Sequence, residues 1–200
     1  ISTLRSNFLT RLMEGNYLKK DIDAQMMHLK ITIDGQFQAV VMIDVEDSSS
    51  FRVAYPEATE DLINFSVANI TEELVEQQKD ILFFENTENR SLLVFSSDQK
   101  EALQPRIEQV GTQIVEAIQK YLQIKVCILV GETVSGPMQW DVSYNSVLSA
   151  RENKFLLEKH TFVYGKDFAM NKLPGGDAPV HLQTSQLVDK IILMIKLNHK

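Results

Sequence analysis

Apolar positions along this chain recur at two periods, and the switches between them outline the elements. Residues 3–14 place Leu4, Phe8 and Leu12 at helical spacing ahead of Gly15, a stop signal; Ile22, Met26 and Leu29 then mark a second short helix over 19–30. From Phe37 the period changes. The run Phe37-Gln38-Ala39-Val40-Val41-Met42-Ile43-Asp44-Val45-Glu46 is β-rich and almost continuously apolar, as a central strand covered on both faces reads. A Ser-rich loop (Ser48, Ser49, Ser50) leads into a helix over about 57–78, whose stripe Ile63, Val67, Ile70, Leu74 lays one apolar face on a sheet.

Two short strands follow, Ile81–Glu85 and 91–96, and the polar connector Asn86-Thr87-Glu88-Asn89-Arg90 makes them a hairpin. The helix over 101–122 has the longest stripe, Leu103, Ile107, Val110, Ile114, Ala117 and Tyr121, with Pro105 tolerated in the first turn. A buried strand over 125–130 ends at Gly131, and a long helix over 137–158 runs into a strand over 161–164. Residues 171–183, with Pro174, Gly175, Gly176 and Pro179, read as a linker, and 184–198 as an amphipathic helix carrying Leu187, Ile191 and Met194 or Ile195. From residue 37 the order is therefore β-α-β-β-α-β-α-β. That order predicts an α+β sandwich, a sheet containing antiparallel pairs with helices packed on it.

Composition narrows the class without naming it. The 200 residues suffice for one domain with a sizeable core, and 44% hydrophobic with 24% charged residues is ordinary for a globular chain. No apolar run reaches the roughly 18–20 residues a membrane helix needs. No signal peptide is visible, and the start at Ile1 reads as a piece of a longer protein. Cys127, alone and inside an apolar run, reads as a buried structural thiol and suits a reducing cytoplasm. With 27 acidic against 20 basic residues the net charge is −7, so no basic face is expected to bind nucleic acid directly.

Order and motifs together resemble one family. A leading helix with Phe8-Leu9-Thr10-Arg11-Leu12-Met13-Glu14-Gly15 precedes a strand over 40–45; an aromatic hairpin strand with Phe83-Phe84-Glu85 follows, then Gly131, then a helix opening Ser143-Tyr144 with Ala150 further along. Over residues 4–170 this is similar to the degenerate GGDEF-like domain at the centre of AraC-type and YesN-like bacterial transcription regulators. Val147 and Arg151 stand where that family usually carries Ala and Leu. The resemblance implies a nucleotidyl-cyclase-like, ferredoxin-type β-α-β-β-α-β core with an extra α-β, flanked by helices. It divides the chain into connector helices over 1–30, the GGDEF-like domain over 31–170, and a linker with a C-terminal helix over 171–200. It also implies partners in the full-length protein, an upstream receiver or sensor module and a C-terminal helix-turn-helix domain, with self-association as a further mode.

Active relatives need a Gly-Gly-Asp/Glu-Glu-Phe turn on the hairpin, where glycines admit the nucleotide and a carboxylate holds metal. The turn here has no glycine, and Arg90 places a cation near the metal position, so catalysis is expected to be lost and no cofactor is called for. Asp44 and Glu46 match the family's two acidic positions. Two carboxylates at i and i+2 on a strand have the spacing to hold Mg²⁺ weakly; the plainer reading is a solvated strand end. Gly175-Gly176-Asp177 lies after the last strand and reads as a linker turn. Histidines 28, 160, 181 and 199 show no ligand spacing, so no metal site is expected. Trp140, Tyr144 and Phe155 read as core packing. Arg151, on the face with Tyr144 and Phe155, either snorkels to an acidic neighbour or contacts an anion or a partner, and Tyr144 shares that second reading.

The expectation is thus a non-enzymatic signal-relay domain of an AraC-type or YesN-like regulator. The alternatives are a divergent metal-dependent nucleotidyl cyclase and a nucleotide or small-molecule sensor that keeps the cyclase cleft.

Overall fold

The strand over Phe37–Asp47 (β1) is apolar because each of its faces meets helices. Val40 and Met42 join one core, while Ala39, Val41 and Ile43 join the other. The computed structural model describes residues 2–156 and 160–168. Ahead of β1 lie two helices, Ser2–Met13 (α1) and Lys19–His28 (α2). After it come Ser49–Ala54 (α3), Glu60–Val75 (α4), the hairpin strands Ile81–Glu85 (β2) and Ser91–Ser97 (β3), Lys100–Leu122 (α5), Lys125–Val130 (β4), Trp140–Asn153 (α6) and Phe162–Tyr164 (β5).

The sheet runs β2-β3-β1-β4-β5. β1 lies between β3 and β4 and is antiparallel to both, β2 is antiparallel to β3, and β5 is parallel to β4. Along the chain the elements follow the β-α-β-β-α-β order expected of the core with its extra α-β, with α3 added ahead of α4. Helices α1, α2 and α6 supply one core through Leu9, Met13, Ile22, Trp140 and Val147. Helices α3, α4 and α5 supply the other through Phe51, Ile63, Val67, Ile107 and Ile114.

Several local expectations are corrected. The Ser-rich stretch is not a loop but the start of α3: the Asp47 carboxylate accepts the Ser49 N–H at 2.9 Å, and Phe51 is buried as its anchor. Helix α4 starts later than predicted because Thr59 caps it, accepting the Leu62 N–H at 3.3 Å. Its buried stripe is Ile63, Val67, Thr71 and Val75, so Leu74 turns outward. Thr71 is accommodated by donating to the Val67 carbonyl at 2.8 Å, which is how a polar residue enters an apolar stripe. In α5 the stripe ends on Ile118, leaving Tyr121 exposed. Pro105 sits past the first turn of that helix, inside it. The long helix predicted over 137–158 is instead a 3₁₀ turn Pro137–Gln139, then α6, then a 3₁₀ turn Lys154–Leu156. Phe155 is 71% exposed and plays no part in the core expected for it. The predicted linker over 171–183 with its Gly-Gly-Asp, and the helix over 184–198, lie outside the described residues.

Candidate functional site

The C-terminal end of β1 carries the first predicted site residues. Asp44 is only 8% exposed, so it is not a solvated strand end. Its Oδ1 accepts the Arg151 Nε at 3.1 Å and its Oδ2 lies 2.7 Å from the Lys154 Nζ. Lys154 also lies 3.5 Å from Glu46 Oε1. Pairing with β4 shifts between Val45 and Asp47, so Glu46 stands at a bulge that frees it from the ladder. Burial works to lower the Lys154 ammonium's pKa, but Asp44, with help from Glu46, outweighs it and holds it above the ordinary value of 10.5. Both oxygens of Asp44 thus face cationic side chains from the α6 end. Among the described residues no three His, Cys, Asp or Glu side chains are grouped as metal ligands. The arrangement does not fit the divalent ion that active relatives use: ammonium and guanidinium groups already neutralise the carboxylate a metal would need.

The hairpin turn is closed by asparagines. The Asn86 side-chain oxygen accepts the N–H groups of Glu88 at 3.0 Å and Arg90 at 2.9 Å, and its own N–H bonds the Arg90 carbonyl. Asn89 takes the left-handed conformation (φ 55°) that glycine would otherwise supply, and its side chain donates to Asp61 Oδ1 of α4 at 3.1 Å. Arg90 pairs with Glu88 at 2.6 Å. A cavity of about 300 Å³ opens under this turn. Its walls are β1 (Ile43–Val45), α4 (Glu60, Asp61, Asn64, Val67), the hairpin (Glu88–Ser91) and Arg151.

On the other face, α6 is seated by small residues and hydrogen bonds. β4 leaves the sheet at Gly131, and pairing with β1 resumes only where Val134 bridges Gln38. In the gap the Val40 N–H has no strand partner, and it donates to the Ser143 Oγ at 2.9 Å; that hydroxyl in turn donates to the Glu132 carbonyl at 2.7 Å. Trp140, fully buried, donates its indole N–H to Gln38 Oε1 at 2.6 Å. An added Cβ at Gly131 would stand 2.3 Å from the Ser143 carbonyl oxygen, and one at Gly165 only 2.1 Å from the Ser146 Oγ. The Ser-Tyr opening of this helix is therefore a packing device. Tyr144 lies in the same core, where burial pushes its phenol up while the Asn86 side chain pulls the other way. It presents little surface to a partner.

Cys127 is buried as read. Its thiol donates to the His160 carbonyl at 3.4 Å, and burial, reinforced by Glu46, pushes it up to about 12. Sequence reading missed Lys154, Ser91 and the α4 residues of the cavity. Lys154 had a visible signal: it lies three positions after Arg151, so both cations leave the helix on one side toward β1. Ser91 had none, since its importance depends on what lies over it.

Among the described residues no helix is long and apolar enough to cross a membrane. Residues 14–152 match the family model described as "GGDEF-like domain". Among solved structures, the isolated GGDEF domain of TpbB (YfiN) from Pseudomonas aeruginosa aligns with a TM-score of 0.42 at 10% identity, covering 75% of this chain and 83% of that one. No curated protein matches.

Proposed function

Because the chain belongs to the GGDEF-like domain family, we propose that it is a non-enzymatic member that relays a signal within an AraC-type or YesN-like transcription regulator. The observation that carries the non-enzymatic reading is the pairing of Asp44 with Arg151 and Lys154. It is joined by a hairpin turn whose backbone donors are engaged by Asn86 in place of a glycine-lined opening. The regulator context is supported by the order and spacing of the sequence motifs, and it places the upstream module before α1 and a DNA-binding domain after residue 200.

The packing suggests a route for such a relay. α1 packs against α6, α6 is bonded through Ser143 to β1, and Arg151 and Lys154 at its far end hold Asp44. A module that shifts α1 therefore loads α6, and the relay works if two seatings of α6 differ in how they suit the neighbouring domains. Incubation with GTP or ATP and Mg²⁺ or Mn²⁺ tests the enzymatic claim. No turnover is expected, and turnover abolished by Asp44→Asn would replace this reading with a divergent cyclase. Deleting residues 37–168 from the full-length regulator tests the relay: signal-dependent transcription is expected to be lost, and its survival unchanged would sink the idea.

A further inference from the structure

The two carboxylates at the end of β1 converge on one cation that the chain itself supplies. Asp44 Oδ2 lies 2.7 Å and Glu46 Oε1 3.5 Å from the same atom, the Lys154 Nζ. Their i, i+2 spacing on a strand projects both to one side, and the shift in pairing between Val45 and Asp47 releases Glu46 from the ladder. Lys154 opens the 3₁₀ turn that follows α6, more than a hundred residues further along the chain.

Asp44 is 8% exposed, so its charge is withdrawn from water and requires a counter-charge. Arg151 supplies one at Oδ1, and Lys154 another at Oδ2. The two cations are not equivalent. A guanidinium is a flat fork, whereas an ammonium is a compact, strongly hydrated point charge. Lys154 is therefore the partner whose charge resembles a small inorganic cation, and it is the one that also reaches Glu46.

We propose that the Lys154 ammonium is a tethered substitute for a divalent cation: it holds Asp44 and Glu46 together and closes to Mg²⁺ or Mn²⁺ a two-carboxylate site that its removal opens. Tethering gives the ammonium a high local concentration, against which a free ion must compete. The pairing also cancels the carboxylate charge on which a hard divalent ion depends for affinity. In consequence the end of α6 stays seated without a bound metal. The proposal deepens the non-enzymatic reading, and the two fail separately, because turnover is measured with nucleotide and metal affinity without it.

Titration of the 200-residue chain with Mn²⁺ alone, followed by the electron paramagnetic resonance signal of the free ion, tests this. Lys154→Met is expected to bind one Mn²⁺ at least about tenfold more tightly than wild type. Lys154→Gln, which stays polar, is expected to show the same gain and serves if methionine unseats the helix. Lys154→Arg keeps a positive charge in place and is expected to stay at the wild-type level. Adding Asp44→Asn to Lys154→Met is expected to abolish the gain. Wild type binding Mn²⁺ as tightly as both neutral variants would overturn the proposal. So would a gain that survives Asp44→Asn, which would put the ion elsewhere, or an equal gain in Lys154→Arg, which would assign it to loosened packing.

Discussion

The two ends of α6 are held to the sheet by different physics. Its N-terminal half is fixed by shape: Gly131 and Gly165 let the Ser143 and Ser146 backbone come within contact, and Trp140 and Ser143 satisfy buried polar groups of β1 and its neighbours. Its C-terminal end is held by charge, through Arg151 and Lys154 on Asp44, beside an acidic cavity. The first kind of contact admits one geometry. The second acts over a range of distances and responds to salt, pH and ligands. A helix anchored rigidly at one end and electrostatically at the other is what the proposed relay requires.

The largest expected effect tests the rigid half. Gly131→Ala drives a Cβ into the Ser143 carbonyl, and Gly165→Ala does the same at Ser146. Each is expected to lower the unfolding free energy by about 3 kcal/mol in urea titrations. A cost under about 1 kcal/mol would mean that α6 can retreat, and the contrast would fail.

Next is Ser143→Ala, which leaves the Val40 N–H and the Glu132 carbonyl unpaired. A loss of about 2 kcal/mol is expected, the same in 0.1 and 1 M NaCl to within about 0.3 kcal/mol. Lys154→Met sits on the other side of the comparison. The side chain is a quarter exposed, so its removal is expected to cost only about 1 kcal/mol, and less in high salt. The Lys154 value is raised on folding, so its contribution is complete below the ordinary lysine value of 10.5 and is lost as pH rises beyond it. Wild type and Lys154→Met are therefore expected to converge in stability as pH rises past the raised lysine value. A salt-sensitive Ser143→Ala or a salt-insensitive Lys154→Met would erase the distinction.

The smallest effect concerns Glu85, where β2 enters the hairpin. Burial raises its carboxyl, and Glu72 adds to the rise. A raised acid penalises the fold when ionised: the penalty is complete above the raised folded value and vanishes below the ordinary value of 4.5. Glu85→Gln is expected to stabilise the protein by a few tenths of a kcal/mol at pH 7 and by nothing near pH 4. Equal stabilisation at both pH values would assign the gain to something other than charge.

Much of this architecture was legible because strands and apolar helix faces announce themselves. The strands at 81–85 and 125–130 fall where alternation and turn signals placed them, and the two-sided burial of β1 follows from its unbroken apolar run. What escaped depended on single polar contacts. Thr59 set where α4 begins, and Thr71, bonded to its own helix, entered the buried stripe, so the pattern of apolar letters pointed one position off. Phe155 shows the opposite failure, an aromatic residue counted into a core that the helix no longer reaches once it tightens at Lys154. Asp44 was singled out from the family pattern, but its partners come from more than a hundred residues away, and no local reading pairs them.

The hydroxyl of Ser143, set into the gap that Gly131 leaves in the sheet, makes one amide of β1 an intrinsic gauge. The Val40 N–H is sequestered by a helix and not by a neighbouring strand, so its hydrogen exchange counts the openings of α6 alone. Its neighbours within the β1–β3 ladder exchange only when strands part. The ratio of the two rates, followed with and without an upstream module, would read out in one spectrum how often the helix lifts from its seat.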